Sequence, residues 1–268
     1  VLLLYKNLVK ISNNHYKLII LSLALMPSMN FWTCGISKDL ITFFSLNYFL
    51  YTTLKTNKIN FFPLVITIFL ISLVRPYVAL ILLFSYFISL LFKRRKILKD
   101  YLMLSTSLIF SFLLYLIFEK IYGIKINFFT LNSTYNSIIQ IIENRQVYNI
   151  NASSFIDLRS MNFVEKIFAY YFRPFPLEAN NLMQILVSIE NLYFLLLFIL
   201  VSIFSIKFIY RNIFKPEIIF RNINYKYFVN ILYIVMLTIL LSQTTANFGI
   251  ASRQKYMLLP FIYFIIFT

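Results

Sequence analysis

Residues 61–92 read FFPLVITIFLISLVRPYVALILLFSYFISLLF, an apolar stretch that holds a single charge, Arg75, and runs into Lys93-Arg94-Arg95-Lys96. As one helix, about 32 residues would measure roughly 48 Å at 1.5 Å per residue. A bilayer's hydrocarbon core is only about 30 Å thick. One straight crossing therefore does not fit. Arg75-Pro76 divides the stretch, and proline suits the first turn of a helix. The stretch reads as two helices, 61–74 and 77–92, meeting at Arg75-Pro76.

The same reading extends outward in both directions. An uncharged run between Lys17 and Lys38 predicts a span at 18–36, with Met26-Pro27-Ser28 kinking or ending it. The run 40–54 is short and polar in places, which suits an interfacial or re-entrant segment. Further spans are expected at 101–118, 186–206, 228–243 and 256–268. Between them lies a mixed stretch, 119–185, read as a long extracytoplasmic loop. Inside it Phe163, Val164, Ile167, Phe168, Tyr171 and Phe172 recur at helical spacing, predicting an amphipathic helix over 162–172. The expected fold class is all-α: a polytopic transmembrane helix bundle with a long, partly helical extracytoplasmic loop, forming one membrane domain over 1–268. The sequence begins and stops inside apolar runs, so it reads as a piece of a longer chain.

Composition agrees. Hydrophobic residues make up 60% of the 268 and charged residues 13%, about half the charged share of a soluble domain. The net charge of +16 would point to nucleic acid in a soluble protein. Here the basic residues gather in short clusters between apolar runs, as the positive-inside rule expects, and no nucleic-acid partner is expected. Placing Lys6–Lys17 inside puts Lys55 and Lys58, Lys93–Lys99 and Lys207–Lys226 inside as well. Those segments hold more than half of the 25 basic residues. Among the nine acids only Asp100 and Glu217 fall with them. Heavy use of Lys, Asn, Ile, Phe and Tyr fits a bacterial source, and the expected location is the bacterial cytoplasmic membrane, multi-pass.

This topology collects Lys38, Asp39, Arg75, Arg173, Glu178, Glu190, Arg253 and Lys255 at the outer face. Charges at membrane depth cost about 2.5–3.5 kcal/mol each on insertion scales, so they persist where something uses them. Arg75 at a hairpin tip, beside the N-terminus of the following helix, suits a phosphate. Arg173 is held near the surface by Pro174 and Pro176. Arg253 and Lys255 sit where the charge bias disfavours bases. Glu190 lies inside a long apolar helix or at its outer end. Asp39 follows Lys38, as a helix cap or a functional acid. His15 reads as a solvated loop residue and Cys34, the only cysteine, as a belt or core residue. One His and one Cys exclude a zinc site of ordinary ligand count. A Ser-His-Asp triad on the outer face is excluded with His15 inside, and there is no glycine-rich phosphate loop.

Four stretches, 26–39 (MPSMNFWTCGISKD), 74–77 (VRPY), 172–180 (FRPFPLEAN) and 247–255 (NFGIASRQK), together resemble multi-spanning proteins of bacterial polysaccharide clusters, of the O-antigen or capsule polymerase type. The resemblance implies a metal-independent enzyme without cofactor, acting on polyprenyl-diphosphate-linked oligosaccharide at the outer face. Membrane lipid, and a chain-length regulator or other assembly proteins, are the implied partners. It also implies that outer-loop arginines hold the diphosphate: Arg75, Arg173 and Arg253, with Lys255 and Lys38 beside them. No catalytic acid of the family maps onto this sequence. The residues themselves offer Glu178, Asp39 and Glu190 as bases for an acceptor hydroxyl. A polyprenyl-phosphate-sugar glycosyltransferase and a lipid-linked oligosaccharide flippase are the rival readings. The first usually pairs its acids in an outer loop, and Asp39 stands alone. The second builds sites from broken helices, which three glycines support poorly.

Overall fold

A computed structural model describes residues 4–5, 26–35, 37–55, 61–91, 154–179, 181–212 and 225–267, with isolated positions at 105, 109, 112, 116, 139, 140, 142–144, 146 and 147. Most of the expected 18–36 and 101–118 spans, and the basic clusters 6–17 and 93–99, lie outside these residues. Among the described residues the only regular structure is helix, apart from an isolated bridge between Phe155 and Asn247.

The order is α1 (Pro27–Thr33), α2 (Lys38–Lys55), α3 (Phe61–Val74), α4 (Pro76–Leu91), α5 (Phe163–Phe172), a 3-10 turn (Pro176–Glu178), α6 (Leu182–Asn212), α7 (Tyr225–Thr244), α8 (Phe248–Lys255) and α9 (Leu259–Phe267). Proline sets two of the starts. Pro27 opens α1 after Met26, whose backbone is not helical. Pro76 opens α4, and Arg75 between α3 and α4 keeps its amide bonded to the Ile71 carbonyl. The chain therefore turns at Arg75 with little backbone left unpaired. α2 runs unbroken from Lys38 to Lys55 over the stretch expected at 40–54. Its Thr and Asn side chains bond back to carbonyls of the preceding turn, as Thr42 does to Lys38 and Asn47 to Phe43, and so lie buried without breaking the helix.

The core is a contact of α2, α3, α4, α7 and α9. Phe49, Tyr86, Tyr233 and Phe261 are buried together, with Tyr233 and Phe261 ring centroids 4.2 Å apart and Phe49 edge-on to Tyr86 at 6.1 Å. Such offset and edge-on pairs satisfy the ring quadrupoles. α5 packs one side, Ala169, Tyr170 and Phe172, against α6 and α7, and leaves Phe163, Val164 and Phe168 exposed.

Two helical segments, Leu182–Leu200 in α6 and Tyr227–Thr244 in α7, are long and apolar enough to cross a membrane, with mean hydropathies of 2.0 and 1.7. Only 22% of the first window is buried. Met183, Ile189, Leu196 and Phe198 stand out from it, each more than half exposed. The helix is also longer than expected: it begins at Leu182, so Glu190 sits two turns inside it.

Candidate functional site

The site is organised by Asp39, in the first turn of α2 and only 1% exposed. Three groups from distant parts of the chain donate to its carboxylate. Arg75 Nη2 reaches Oδ1 at 2.6 Å, Tyr256 Oη reaches Oδ1 at 2.8 Å, and Arg253 Nε reaches Oδ2 at 2.5 Å. Burial pushes this carboxyl up, but the hydrogen bonds from Arg253, Tyr256 and Arg75 outweigh it and hold the pKa below its ordinary value. Asp39 is therefore an anion that locks two guanidinium groups side by side.

The arginines are fixed from other directions too. Arg75 Nη1 donates to Tyr77 Oη at 2.9 Å, and the guanidinium lies 5.8 Å from the Tyr256 ring centroid. Its Nε is buried without a partner among the described residues. Arg253 lies 5.0 Å over the ring of Trp32, and its side chain remains 41% exposed. The stacking and the ion pair together hold a planar donor fork in one pose.

Arg253 and Lys255 belong to α8, a short helix in the connection between the stretches expected as spans at 228–243 and 256–268. The Asn247 side chain accepts from the Gly249 and Ile250 amides and caps the helix start. A Cβ at Gly249 would lie 3.2 Å from that capping oxygen, which keeps the position small. The Asn247 cap is also tied to the 119–185 stretch by Ser154 Oγ at 2.9 Å. Placing both bases in the last turn of α8 sets them against the negative end of its dipole.

Lys255 points the other way from Arg253 and is buried. Its Nζ donates to the Tyr171 carbonyl at 2.7 Å and to Asn191 Oδ1 at 2.5 Å. Burial lowers its pKa to about 7, opposed by the field of Glu190. Glu190, on α6, accepts from both the amide and the hydroxyl of Ser28 at the start of α1. Asn191 also donates to the Pro174 carbonyl at 3.2 Å, tying α6 to the segment that follows α5.

Arg173 and Glu178 form a separate pair, 2.9 Å between Nη2 and Oε1, and Glu178 also accepts from the Phe175 amide at 3.1 Å. Burial raises the Glu178 carboxyl, but the Arg173 bonds and that amide bring its pKa below normal. Arg173 lies 5.4 Å from the Phe248 ring centroid, which keeps it beside α8.

A pocket of about 470 Å³ opens between α1, α6 and α8, with Ser28, Trp32, Glu190 and Phe248 in its wall. Asp39, Arg75 and Arg253 are thus brought to one point, and Trp32, against Arg253, also lines the pocket. Lys38 is exposed, and among the described residues its side chain joins none of these groups. Trp32, Tyr77, Tyr256 and Ser28 were not singled out from sequence. No group of His, Cys, Asp and Glu among the described residues has the arrangement of a metal centre. No protein-family model, curated protein or solved structure matches the chain.

Proposed function

We propose that this chain is part of a multi-pass bacterial inner-membrane protein that polymerises or transfers polyprenyl-diphosphate-linked oligosaccharide at the outer face during surface-polysaccharide assembly. The observation that carries the reading is the Asp39 anchor. A buried carboxylate holds both Arg75 and Arg253, and the Arg253 side chain remains 41% exposed. Support for membrane insertion comes from the long apolar face of α6, which no described part of the chain covers.

The chemistry follows from the charges. An acceptor hydroxyl attacks the anomeric carbon, the bond from that carbon to the diphosphate oxygen breaks, and the diphosphate leaves with the electron pair. Fixed guanidinium groups stabilise that developing charge without reorganising, and their fork matches phosphate oxygens. The hydroxyl proton needs an acceptor. Asp39 is enclosed and doubly paired, and Glu178 is occupied by Arg173 and a backbone amide. Glu190 is the candidate acid that lines the pocket, so it takes the role of base ahead of the other two. Arg173 then holds the outer segment in place, beside the diphosphate site and not within it.

The reading is tested by supplying the full-length protein with diphosphate-linked oligosaccharide and following chain lengthening. Arg75→Ala and Arg253→Ala are each expected to cost at least a hundredfold in rate, the scale of losing one preorganised donor. Wild-type rates in both variants would overturn it. Lipid translocation across vesicles without any lengthened product would favour the flippase.

A further inference from the structure

The helix α5 packs against both α6 and α7, and it does so within their apolar windows. On α7, Lys166 Nζ donates to Gln243 Oε1 at 3.3 Å, and the Tyr171 and Thr238 hydroxyls are bonded at 2.5 Å. Gln243 and Thr238 lie in the last two turns of Tyr227–Thr244. On α6, the Tyr171 ring stacks 6.5 Å from Phe194, and the Phe172 ring lies 5.8 Å from Phe198. Both phenylalanines fall inside Leu182–Leu200. α5 is therefore level with the apolar part of each helix.

Its unpacked side is apolar as well. Val164 is 74% exposed, Phe163 and Phe168 are exposed beside it, and Phe168 reaches the Phe175 ring at 6.2 Å. A groove of about 370 Å³ on this side is lined by Met161, Val164, Glu165, Phe168, Ala169 and Arg173. Its two charged groups bring partners of their own. Glu165 accepts from the Asn162 amide at 2.8 Å, and Arg173 is paired with Glu178. The charges of α5 itself, Glu165 and Lys166, stand among its first four residues, and none follows as far as Phe172. A helix with one apolar face and its charges kept to the polar side lies in the boundary between headgroups and acyl chains. α6 turns Ile189 and Leu196 out to its surroundings within the window that holds Phe194 and Phe198. If that face of α6 meets lipid, an unpacked apolar face at the same level meets it too.

We propose that α5 is an interfacial membrane anchor. Phe163, Val164 and Phe168 sit among the acyl chains of the leaflet on the side of Arg253, with Glu165 and Lys166 at the headgroups. The Tyr171 carbonyl accepts from Lys255, and Arg173 lies 5.4 Å from the Phe248 ring. These contacts tie the anchor to the helix that carries Arg253. The proposal rests on α6 and α7 crossing the membrane and not on the reaction assigned to the site.

Spin labels test it in the full-length protein, placed in nanodiscs of phosphatidylethanolamine and phosphatidylglycerol with every native cysteine replaced by Ser. Nitroxides at Val164→Cys and Phe168→Cys are compared with one at Leu196→Cys on α6. Dissolved oxygen reports contact with lipid, and a water-soluble nickel chelate reports contact with water. The labels on α5 should collide with oxygen and be shielded from nickel, at a depth of about 5–10 Å. Val164 is the more exposed of the two, so its variant carries the result if Phe168→Cys fails to fold. Free access of nickel to Val164→Cys overturns the proposal. So does shielding from both reagents, which means that a protein surface, from this chain or a second copy, covers the face. The readings fail separately. Nickel access at α5 with oxygen alone at Leu196→Cys removes the anchor and leaves α6 in the membrane, while nickel access at Leu196→Cys as well removes both. Lipid contact at both helices in a protein that lengthens no chain leaves the anchor and removes the polymerase reading.

Discussion

At the scale of single residues, Asp39 matters most because it is buried and paired on both sides. Removing one partner of a buried ion pair costs about 3–5 kcal/mol, while removing both often costs little. Asp39→Asn is therefore expected to lower the unfolding midpoint in detergent, and Asp39→Asn with Arg75→Met to recover part of the loss. A midpoint unchanged by Asp39→Asn would contradict the anchor. Lys255 gives a pH signature. Its folded pKa of about 7 lies below its ordinary value of 10.5, so between those values the unfolded chain holds a proton that the folded chain has released. Stability attributable to Lys255 should rise as pH climbs from about 7 towards 10.5 and be flat below about 7. Subtracting the Lys255→Met profile from the wild-type profile isolates that slope, and a difference that falls over this window would refute the burial argument. Arg75 was legible in sequence because a lone charge in a largely apolar stretch of 32 residues is costly. Its pairing with Asp39, and that of Arg253 across 214 residues, was not. Only the folded helices set those distances. Trp32, Tyr77 and Tyr256 were hidden for another reason: among 20 Tyr and 31 Phe, one ring more carries no signal.

At the scale of elements, the hinge at Arg75-Pro76 could be read because proline fixes the backbone before a helix. The helix over 162–172 could be read from its spacing, and Glu165 accepting from the Asn162 amide at 2.8 Å marks its start. α8 was missed. Its eight residues are too few for a periodic pattern, and its one signal, the capping Asn247, is also a common loop residue. α6 could be read as one long apolar run, and its start is marked by the Asn181 side chain, which accepts from the Gln184 amide at 2.8 Å. The exposed face of α6 supplies the element's own test. Ile189 is 54% exposed near the middle of Leu182–Leu200. Inserted as a test segment by a translocon, the native helix should cross, and Ile189→Arg should oppose crossing by about 2.5–3.5 kcal/mol. A native segment that stays out of the membrane would remove α6 from the proposed spans.

At the scale of the whole molecule, composition alone made the helical class legible, because so apolar a chain has little use for a polar surface. Sidedness is a different matter. It follows from the charge rule applied to lysine and arginine clusters, most of which lie outside the described residues. What the fold adds is convergence: the end of α1, the start of α2, the α3–α4 junction and the end of α8 meet at one place, with the pocket beside it. The proposed activity requires that place to face outward, where no nucleotide is at hand and a lipid-linked diphosphate supplies the driving force. Cys34, the one cysteine within residues 1–268, lies exposed between α1 and α2, five positions before Asp39, and with any cysteine outside those residues replaced by Ser it reports which side the site faces. A membrane-impermeant maleimide should label that protein at Cys34 in intact cells, and should label Arg95→Cys in a Cys34→Ser background only after permeabilisation. Labelling of Arg95→Cys in intact cells, with Cys34 silent until the membrane is opened, would put the arginine site in the cytoplasm and contradict the account.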